Sequence, residues 1–429
     1  MDINTIDFVD FLVKQPDTKQ ILAYFEGIPD GDKLKQVAIN ALEKHKPIMA
    51  LQPGLSEAGK RVARNHTGSV IGSRAVFELV ADRYGITLVS EFEELIDTAK
   101  AFKTGKRLKG NRAAMIVISG GAAIVWADEL TKAGFEIPEL SEATVSRLAE
   151  VVPSYCYLNN PVDIATTLLV NPILLNHCVD TLANSGEVDI IFVQLMFGPD
   201  QGGLKAAQDI LDVAKDSDKL ILVTITASDT EVSDIRAFLN DNDIPAYTSL
   251  KAAVKSARNL LDYEKKYMNL KKLTSEGAQN YEADGKFVLP SSEERVEQLL
   301  EQLPVKKTVE GPVLEAAVKV VRDPIFGPVI SCDLDGVYSK TMKDISQSVA
   351  PISPQLALNM IKALNSYPLL SGRNNGFAYD IDAFATLLSS ISQAALSWGE
   401  LWTDFEINPL KVGKKGQGVA AREDGIFFK

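Results

Sequence analysis

A chain of 429 residues is longer than one hydrophobic core usually serves, so we expect two or three domains. The composition, 46% hydrophobic and 24% charged, is typical of a soluble globular protein. The net charge of −12 repels a phosphate backbone and therefore argues against a nucleic-acid partner.

The cysteines and the apolar runs set the expected compartment. Cys156, Cys178 and Cys332 are far apart, which argues against a disulfide framework and a cysteine-based zinc site. The acidic N-terminus MDINTIDFVDFLV lacks the basic region of a signal peptide, and runs such as IIFVQLMF are too short to span a bilayer. We therefore expect a cytoplasmic protein with no membrane partner.

Apolar strands alternate with amphipathic helices through the first quarter of the chain. Strands are predicted within 21–28, 47–54 and 86–89, and helices within 30–45, 74–85 and 92–102. This alternation indicates βαβ units and a parallel sheet covered on both faces. It predicts a first doubly wound, flavodoxin-like α/β domain over residues 1–106.

The alternation restarts after the turn-like stretch TGKRLKGN. Strands are predicted within 113–121, 188–197 and 219–228, and helices within 122–134, 141–152, 173–186, 204–215, 230–242 and 249–267. The pattern predicts a second doubly wound parallel-sheet domain over residues 107–266.

The remainder of the chain has a different organisation. Residues 267–309 are polar and charged, and we expect a linker with one helix. Beyond it we expect strands around a turn, two helices and a closing β-hairpin. Because strands and helices are segregated, residues 310–429 are predicted to form an α+β domain.

His66 lies in EAGKRVARNHTGSVIGS, among small and cationic residues. A histidine titrates near neutrality and can act as a nucleophile or a proton carrier. The backbone N–H groups around Thr67 and Gly68 suit a phosphate. Glu26 ends the first predicted strand, and sites in open α/β folds form at the carboxyl ends of parallel strands. These features support a reactive His66 oriented by Glu26. An inert surface histidine and, for Glu26, a solvated strand end are the alternative interpretations.

The remaining two histidines are interpreted as structural. His45 ends a predicted helix, where a cation complements the helix dipole. His177 lies within an amphipathic helix, and neither histidine has the spacing of a metal site.

A glycine pair, Gly120 and Gly121, separates a predicted buried strand from a helix that continues at Ala122. The N-terminus of a helix attracts anions, although a tight turn also needs glycine. The pattern is not GxGxxG, and no unit opens with that motif followed by an acidic residue, which argues against an NAD-type oxidoreductase.

Carboxylate and amide side chains recur in the C-terminal hairpin. Glu406 and Asn408 precede the turn KKGQG, and Glu423 and Asp424 follow it on the expected opposing strand. Oxygen ligands placed across a hairpin suit Mg²⁺. A polar hairpin edge is the alternative interpretation.

Taken together, these features resemble the NDP-forming acyl-CoA synthetases, the superfamily of ADP-forming acetate–CoA ligases and succinyl-CoA synthetase. The resemblance rests on stretches in the family's own order: AYFEGIPDG, SEAGKRVARNHTGSVIGSRAVFE, GNRAAMIVISGG, LNNPVDIATT, RDPIFGPVI, YPLLSG and FEINPL. It implies that the third domain is part of an ATP-grasp module.

The resemblance also implies phosphoryl transfer through a phosphohistidine. In the family, an acyl-CoA and phosphate give an acyl phosphate, and a histidine carries its phosphoryl group to ADP. His66 matches that histidine, and Glu26 matches the carboxylate that holds it at the acyl site. The turn at Gly120 and Gly121 resembles the start of the helix that cradles the phosphohistidine.

For the nucleotide side, the resemblance implies Mg²⁺ and ATP or ADP, with a CoA thioester as substrate. Glu406 matches the nucleotide-side carboxylate, and Asn408 matches the metal-binding amide. The second metal carboxylate is either Glu423 or Asp424.

The chain also departs from the family pattern. We find no CoA-binding domain, and no lysine-bearing strand or glycine-rich loop of the first ATP-grasp half between 267 and 312; CDLDGVYSK and GGAAI replace more conventional family stretches. We therefore expect a complementary subunit and a homo- or hetero-oligomer, with little ligase activity from the chain alone. The alternatives are an inactive relative with a binding or regulatory role, a fragment of a longer polypeptide, and a small-molecule-binding protein that tolerates His66→Ala.

Overall fold

Within the residues that it describes, the structure, a computed structural model, contains three β-sheets with helices packed against them. It describes residues 3–54, 56, 58–59, 61, 73–164, 173–196, 202–226, 229–275, 295–334, 344–373, 376–398 and 402–428. Two sheets are parallel and one is antiparallel, which confirms the predicted class of two flavodoxin-like units followed by an α+β unit. No helix in these ranges is both long and apolar enough to cross a membrane.

The first parallel sheet is covered on both faces. Its strands are β1 (Ile21–Tyr24), β2 (Ile48–Leu51) and β3 (Ile86–Val89), and the described helices around it are α1 (Thr5–Lys14), α2 (Gly31–Glu43), α3 (Arg74–Tyr84) and α4 (Phe92–Lys103). The strands pair in the order β1–β2–β3. Helices α1, α2 and α3 cover one face and α4 the other, so every residue of β2 is buried. The uninterrupted apolar run of β2 follows from this double cover.

Helix α1 is an element that the sequence analysis did not predict. The Asn4 side chain accepts a hydrogen bond from the backbone N–H of Ile6 at 2.9 Å, and the Asp7 carboxylate accepts one from the N–H of Asn4 at 2.6 Å. This capping box satisfies N–H groups that the first turn leaves without helical partners. Ile6, Val9 and Val13 then recur at helical spacing and are buried against the first sheet.

The second parallel sheet has a flavodoxin-like strand order. Its strands are β4 (Ala113–Val117), β5 (Val162–Asp163), β6 (Ile190–Leu195), β7 (Leu220–Ile225) and β8 (Ala246–Tyr247), and its described helices are α5 (Gly120–Lys132), α6 (Glu142–Leu148), α7 (Leu174–Asn184), α8 (Gly203–Asp216), α9 (Asp229–Asp241) and α10 (Leu250–Ser275). The order β5–β4–β6–β7–β8 places a topological switch point between β4 and β6, at the end from which α5 begins.

The third unit is built on an antiparallel sheet. Its described elements are α11 (Arg295–Gln302), β9 (Leu314–Asp323), β10 (Gly327–Leu334), β11 (Ile345–Val349), α12 (Pro354–Lys362), α13 (Tyr367–Leu370), α14 (Ile381–Ser397), β12 (Asp404–Val412), β13 (Val419–Ala420) and β14 (Ile426–Phe428). The order is β11–β10–β9–β12–β13, with β14 also paired to β12. Helices α12 and α14 bury one face of the sheet. Half-buried polar residues of β12 lie on the opposite face.

The turn between β9 and β10 packs against α2 and α3 of the first unit. The Phe326 ring stacks on Phe77 with ring centroids 6.0 Å apart, and the Phe326 carbonyl accepts a hydrogen bond from Lys35 Nζ at 2.8 Å. A Cβ atom at Gly31 would overlap the carbonyl oxygen of Ile325, so only glycine permits this approach. The first and third units therefore share one hydrophobic core.

Arg83 ties the far end of α3 to the third unit. Its guanidinium donates to the backbone carbonyls of Val349 and Pro351. Burial lowers the pKa of this guanidinium, so the two carbonyls offset part of the cost of removing the charge from water.

A buried carboxylate joins the first unit to α10. The two oxygens of Glu264 accept hydrogen bonds from His45 Nε2 at 2.8 Å and from Arg107 Nη2 at 2.8 Å, while the Tyr263 and Tyr267 rings pack against His45. Burial raises the pKa of the Glu264 carboxyl, but the bonds from His45 and Arg107 outweigh it and hold the pKa below its usual range.

We predict that Arg83→Met destabilises the junction between the first and third units. The methionine keeps an apolar stem but leaves the carbonyls of Val349 and Pro351 without their donor, which costs about 1–3 kcal/mol for each unsatisfied group. The expected result is a melting temperature lower by about 5 °C or more in calorimetry. Arg147→Met is the control, since Arg147 lies 3.6 Å from Asp180 in a half-exposed pair. Equal melting temperatures for the two variants would contradict the prediction.

We predict that Glu264→Gln has an effect that depends on pH. Because the folded-state pKa of Glu264 lies below the unfolded value, its contribution to stability is present above the ordinary glutamate pKa of about 4.3 and is lost as the pH falls below it. The wild-type chain should melt above the variant at pH 7, and the difference should shrink between about pH 4.5 and 3.5. Calorimetry at several pH values measures this, with Glu129→Gln in the exposed pair to Lys132 as control. A difference that stays constant down to pH 3.5 would show that the charge is not responsible.

Candidate functional site

The structure describes the borders of the predicted histidine site but not the histidine. His66, Thr67 and Gly68 lie outside the described residues, in the connection between β2 and α3. The description is continuous through β2 to Gly54, covers residues 56, 58–59 and 61 beyond it, and is continuous again from Ser73, the N-cap of α3. The predicted roles of these three residues therefore remain predictions.

Glu26 lies at the carboxyl edge of the first sheet. The N–H of Phe25 donates to the carbonyl of Leu51 at 2.9 Å, so β1 stays paired with β2 for one residue beyond its end. Glu26 follows directly and is half-buried, beside the point where Gln52 continues β2. The carboxylate is thus carried by the same edge from which the His66 connection departs.

The glycine pair forms the N-terminus of α5, as the sequence predicted. The first intrahelical bond runs from Ala123 N–H to the Ser119 carbonyl at 3.0 Å, and the N–H groups of Gly120, Gly121 and Ala122 precede this ladder. The Ser119 side chain makes no capping bond. This end of the helix therefore offers backbone donors and a partial positive charge to an anion.

The carboxylate of Asp163 borders the same helix end. A Cβ atom at Gly120 would lie 3.4 Å from Asp163 Oδ2, at the end of the neighbouring strand β5. The sequence analysis did not assign a role to Asp163. Its position adds a negative charge beside the donors of α5, which any bound anion must tolerate.

Asn160, in the NNPVDI stretch, forms hydrogen bonds with backbone groups at the edge of β4. The Asn160 amide is 8% exposed, accepts a bond from Met115 N–H at 3.1 Å and donates to the carbonyls of Ala113 at 2.8 Å and Pro138 at 3.1 Å. Strand β5 reaches only the end of β4, and Asn160 satisfies the part of that edge that β5 leaves open. The Asn160 side chain in this stretch therefore has a structural role, because it supplies hydrogen-bond partners to backbone groups.

Glu406 and Asn408 lie side by side on β12. Asn408 Nδ2 donates to Glu406 Oε1 at 3.1 Å. This bond uses the amide nitrogen, and the amide oxygen is an acceptor that can bind a cation. Lys319, the cross-strand neighbour on β9, places its Nζ 4.0 Å from Glu406 Oε2. A carboxylate and an amide oxygen are a partial set of Mg²⁺ ligands, and the lysine is a competing cation.

The prediction that Glu423 and Asp424 lie on the strand opposite Glu406 is wrong. They lie in a short 3-10 helix, Glu423–Gly425, and Phe427 is the residue of β14 that pairs with Glu406. At the end of this helix Gly425 packs on the chain at Asn408, where a Cβ atom would come 3.1 Å from the Asn408 carbonyl oxygen.

The described carboxylates of this region do not form a ready metal cluster. Asp424 is 71% exposed, and its Oδ1 lies 3.3 Å from Arg422 Nε. It also lines a pocket of about 460 Å³ together with Lys306 and Arg422. Among the described residues, no group of three His, Cys, Asp or Glu side chains is placed to hold a metal ion. Glu406 and Asn408 are thus the better-placed part of the predicted ligand set.

Family models match both ends of the chain. A succinyl-CoA ligase-like flavodoxin domain matches residues 1–102, and an ATP-grasp domain matches residues 282–422. These matches fall on the first parallel-sheet unit and on the antiparallel unit.

The most similar proteins include both single chains and separate subunits. An ADP-forming acetate–CoA ligase I of Archaeoglobus fulgidus is 25% identical over 96% of this chain and 71% of its own length. The alpha subunit of ADP-forming acetate–CoA ligase II of Pyrococcus furiosus is 36% identical over 38% of this chain and 35% of its own length.

A solved structure shares the fold. It is a dinucleotide-forming acetyl-coenzyme A synthetase 1 of Ca. Korarchaeum cryptofilum in complex with phosphate and ADP. It superposes with a TM-score of 0.57 at 26% identity, over 63% of this chain and 58% of its own.

We predict that Asn160→Ala destabilises the second sheet. The substitution leaves the N–H of Met115 and two carbonyls without their partner, and we expect a loss of about 2–4 kcal/mol in the free energy of unfolding. Urea denaturation measures the loss. Asn242→Ala is the matched control, because its amide makes one exposed bond to the Phe238 carbonyl. A loss no greater than that of the control would contradict the structural assignment of Asn160.

Proposed function

Because the chain belongs to the NDP-forming acyl-CoA synthetases, we propose that it transfers a phosphoryl group between an acyl phosphate and a nucleotide through a phosphohistidine at His66. The activity is that of an acid–thiol ligase or of a subunit of one. The observation that carries the proposal is the alignment of 96% of the chain with an ADP-forming acetate–CoA ligase. The substrate on the acyl side is a CoA thioester together with phosphate.

The first step takes place at the carboxyl edge of the first sheet. One ring nitrogen of neutral His66 forms a bond to phosphorus while the bond from phosphorus to the acyl oxygen breaks and a carboxylate leaves. Glu26 accepts a hydrogen bond from the other ring nitrogen. This bond fixes the tautomer of His66 and stabilises the positive charge on the ring after phosphorylation. The placement of Glu26 beside the departing connection supports this role.

Backbone donors then hold the phosphoryl group. We assign this role to the N-terminus of α5 at Gly120, Gly121 and Ala122, together with the N–H groups of Thr67 and Gly68. The support for the first three is their position ahead of the helical ladder of α5. No side chain has to reorganise when the charge arrives, since these donors belong to the backbone.

The nucleotide side is assigned to the third unit. Glu406 and Asn408 fit as ligands of Mg²⁺, an ion that usually keeps water and phosphate oxygens as its other ligands. Bound with ATP or ADP, the ion supplies charge neutralisation for the phosphate chain. Either Glu423 or Asp424 completes the protein ligands, since their short helix packs against Asn408. The ATP-grasp match over 282–422 supports nucleotide binding here.

The remaining functions fall to other domains or chains. We propose domains at 1–106, 107–266 and 310–429 joined by a linker at 267–309, and a complementary subunit that carries the CoA-binding domain and the rest of the ATP-grasp module. A Pyrococcus relative that is a separate alpha subunit supports this arrangement. Cys156, Cys178 and Cys332 form no disulfide in the described part of the chain, which supports a cytoplasmic location.

A specific observation also favours a second function. Lys319 faces Glu406, and Arg422 pairs with Asp424, so cations stand beside two of the proposed metal carboxylates. A relative that has lost nucleotide chemistry and binds or regulates a partner would tolerate such pairing. In that case His66 carries no phosphoryl group.

We predict an acid-labile phosphate on His66. The chain is incubated with Mg-ATP, with and without host lysate, and examined by intact-protein and phosphopeptide mass spectrometry under alkaline conditions. The expected result is one added phosphoryl group on the peptide that contains His66. Dependence on lysate would identify the need for a complementary subunit.

Two variants make this measurement specific. His66→Ala should abolish the modification. His177→Ala should retain it, because His177 Nε2 donates to the backbone carbonyl of Arg147 on the surface of the second unit. Absence of phosphate under both conditions would reject phosphotransfer and favour the binding or regulatory function.

A further inference from the structure

Gln52, at the carboxyl end of β2, has an unsatisfied amide. The residue is 2% exposed, and in the described part of the chain its Oε1 is buried without a hydrogen-bond partner. Buried polar atoms are almost always paired in folded proteins, and an unpaired one reduces stability. Neither the phosphohistidine chemistry nor the packing described above uses this oxygen.

Arg74, the first residue of α3, has an unsatisfied guanidinium nitrogen. Its Nε donates to Glu78 Oε1 at 2.7 Å, but its buried Nη1 has no partner among the described residues. A guanidinium presents donors in a fixed planar fork and keeps its charge when buried. The complement of an unpaired guanidinium nitrogen is an oxyanion.

Strand alternation and the course of α3 assign the two side chains to the same face and the same edge of the first sheet. Ala50 packs in the core under α3, and strand alternation places Gln52 on that face two residues later. Phe25, which borders Gln52 in the sheet, meets Phe77 edge-on with ring centroids 6.2 Å apart. Arg74 lies one turn before Phe77, and side chains of a helix lean toward its N-terminus. That direction leads to the carboxyl edge of the sheet, where β2 ends.

The N-terminus of α3 adds a third attraction for an anion at this edge. The helix has 11 residues, and its N-cap Ser73 accepts only a long bond of 3.5 Å from the N–H of Val76. The first turn therefore retains donor capacity and a partial positive charge.

We propose that Arg74 and Gln52 form a binding site for hydrogen phosphate. The ion has charged oxygens that accept from Arg74 Nη1 and from the first turn of α3. It also has a hydroxyl that donates to Gln52 Oε1. A carboxylate anion satisfies the arginine but has no proton for the amide oxygen, so the pair of unsatisfied atoms selects phosphate.

The site extends the proposed chemistry. It lies at the edge that also carries Glu26, so the phosphate that reacts with the acyl group would be held beside the carboxylate that orients His66. To that extent the assignment rests on the proposed function. The binding of free phosphate does not depend on it.

The test is thermal unfolding and titration calorimetry of the full chain with sodium phosphate, without nucleotide, and with sodium acetate at matched ionic strength. Phosphate should raise the melting temperature, and acetate should not. Arg74→Met should weaken phosphate binding by about tenfold to a hundredfold, and Arg74→Lys should restore part of it.

Gln52→Leu separates a ligand role from a structural one. Removal of an unsatisfied buried group should leave the melting temperature of the phosphate-free chain unchanged or higher, while phosphate binding weakens by about tenfold. A lower melting temperature with full phosphate binding would show that the amide serves the fold, and the proposal would be wrong. An equal response to acetate would overturn the assignment to phosphate.

Two control variants distinguish a failure of the phosphate site from a failure of the proposed phosphotransfer function. His66→Ala should bind phosphate as the wild-type chain does, so a chain that binds phosphate but is never phosphorylated retains the site and loses only the phosphotransfer function. Arg147→Met should bind phosphate normally, because Arg147 belongs to the second unit. Loss of phosphate binding in this variant would indicate a general charge effect and reject the site.

Discussion

The packing of the β9–β10 turn against α2 and α3 determines how the first unit stands relative to the third. Phe326 is buried against Phe77 on one side of the contact, and the backbone at Ile325 approaches Gly31 on the other. Arg83 secures the opposite end of the same helix pair through two carbonyls. Because the two units share a core, the edge that carries Glu26 and the sheet face that carries Glu406 belong to one framework. In the proposed chemistry, the phosphoryl group is therefore transferred between two sites, at Glu26 and at Glu406, whose carrying units are packed together.

Sequence patterns predicted the parallel sheets because burial on both faces leaves a plain signature. Strands such as β2 and β4 are continuous apolar runs, and the helices that follow them show apolar residues at helical spacing. Helix α1 escaped prediction because its cap, Asn4 with Asp7, is a local signal within a stretch that looks merely acidic. Strand β11 escaped because ISQSV is polar, and its strand character comes from pairing with β10. The strand propensity of a segment does not include the effect of pairing with a strand that is distant in sequence.

At the candidate site, the sequence indicated which residues could take part, but it did not indicate which residues they contact in the fold. The helix start at Gly120 follows from local rules, and the neighbouring positions of Glu406 and Asn408 follow from strand alternation. The position of Glu423 and Asp424 did not follow, because the chain forms a 3-10 helix there, packed on Asn408 at Gly425, before it pairs as β14. The unsatisfied atoms of Gln52 and Arg74 have no sequence signal at all, since an ordinary glutamine and arginine become unusual only when burial removes their water.

Helix α10 links the first two units more tightly than the chain order suggests. It packs on the second sheet and also contacts α2 and α4, with Asn259 donating to Thr98 at 3.0 Å and Glu264 bonded to His45 and Arg107. Leu42, from the first unit, shares a small core with Tyr263 and Tyr267 of this helix. Cleavage near residue 106 would therefore not release two autonomous pieces. The N-terminal piece would expose the apolar surface that α10 covers, so a gene split at this point would yield polypeptides that must be co-expressed to remain soluble.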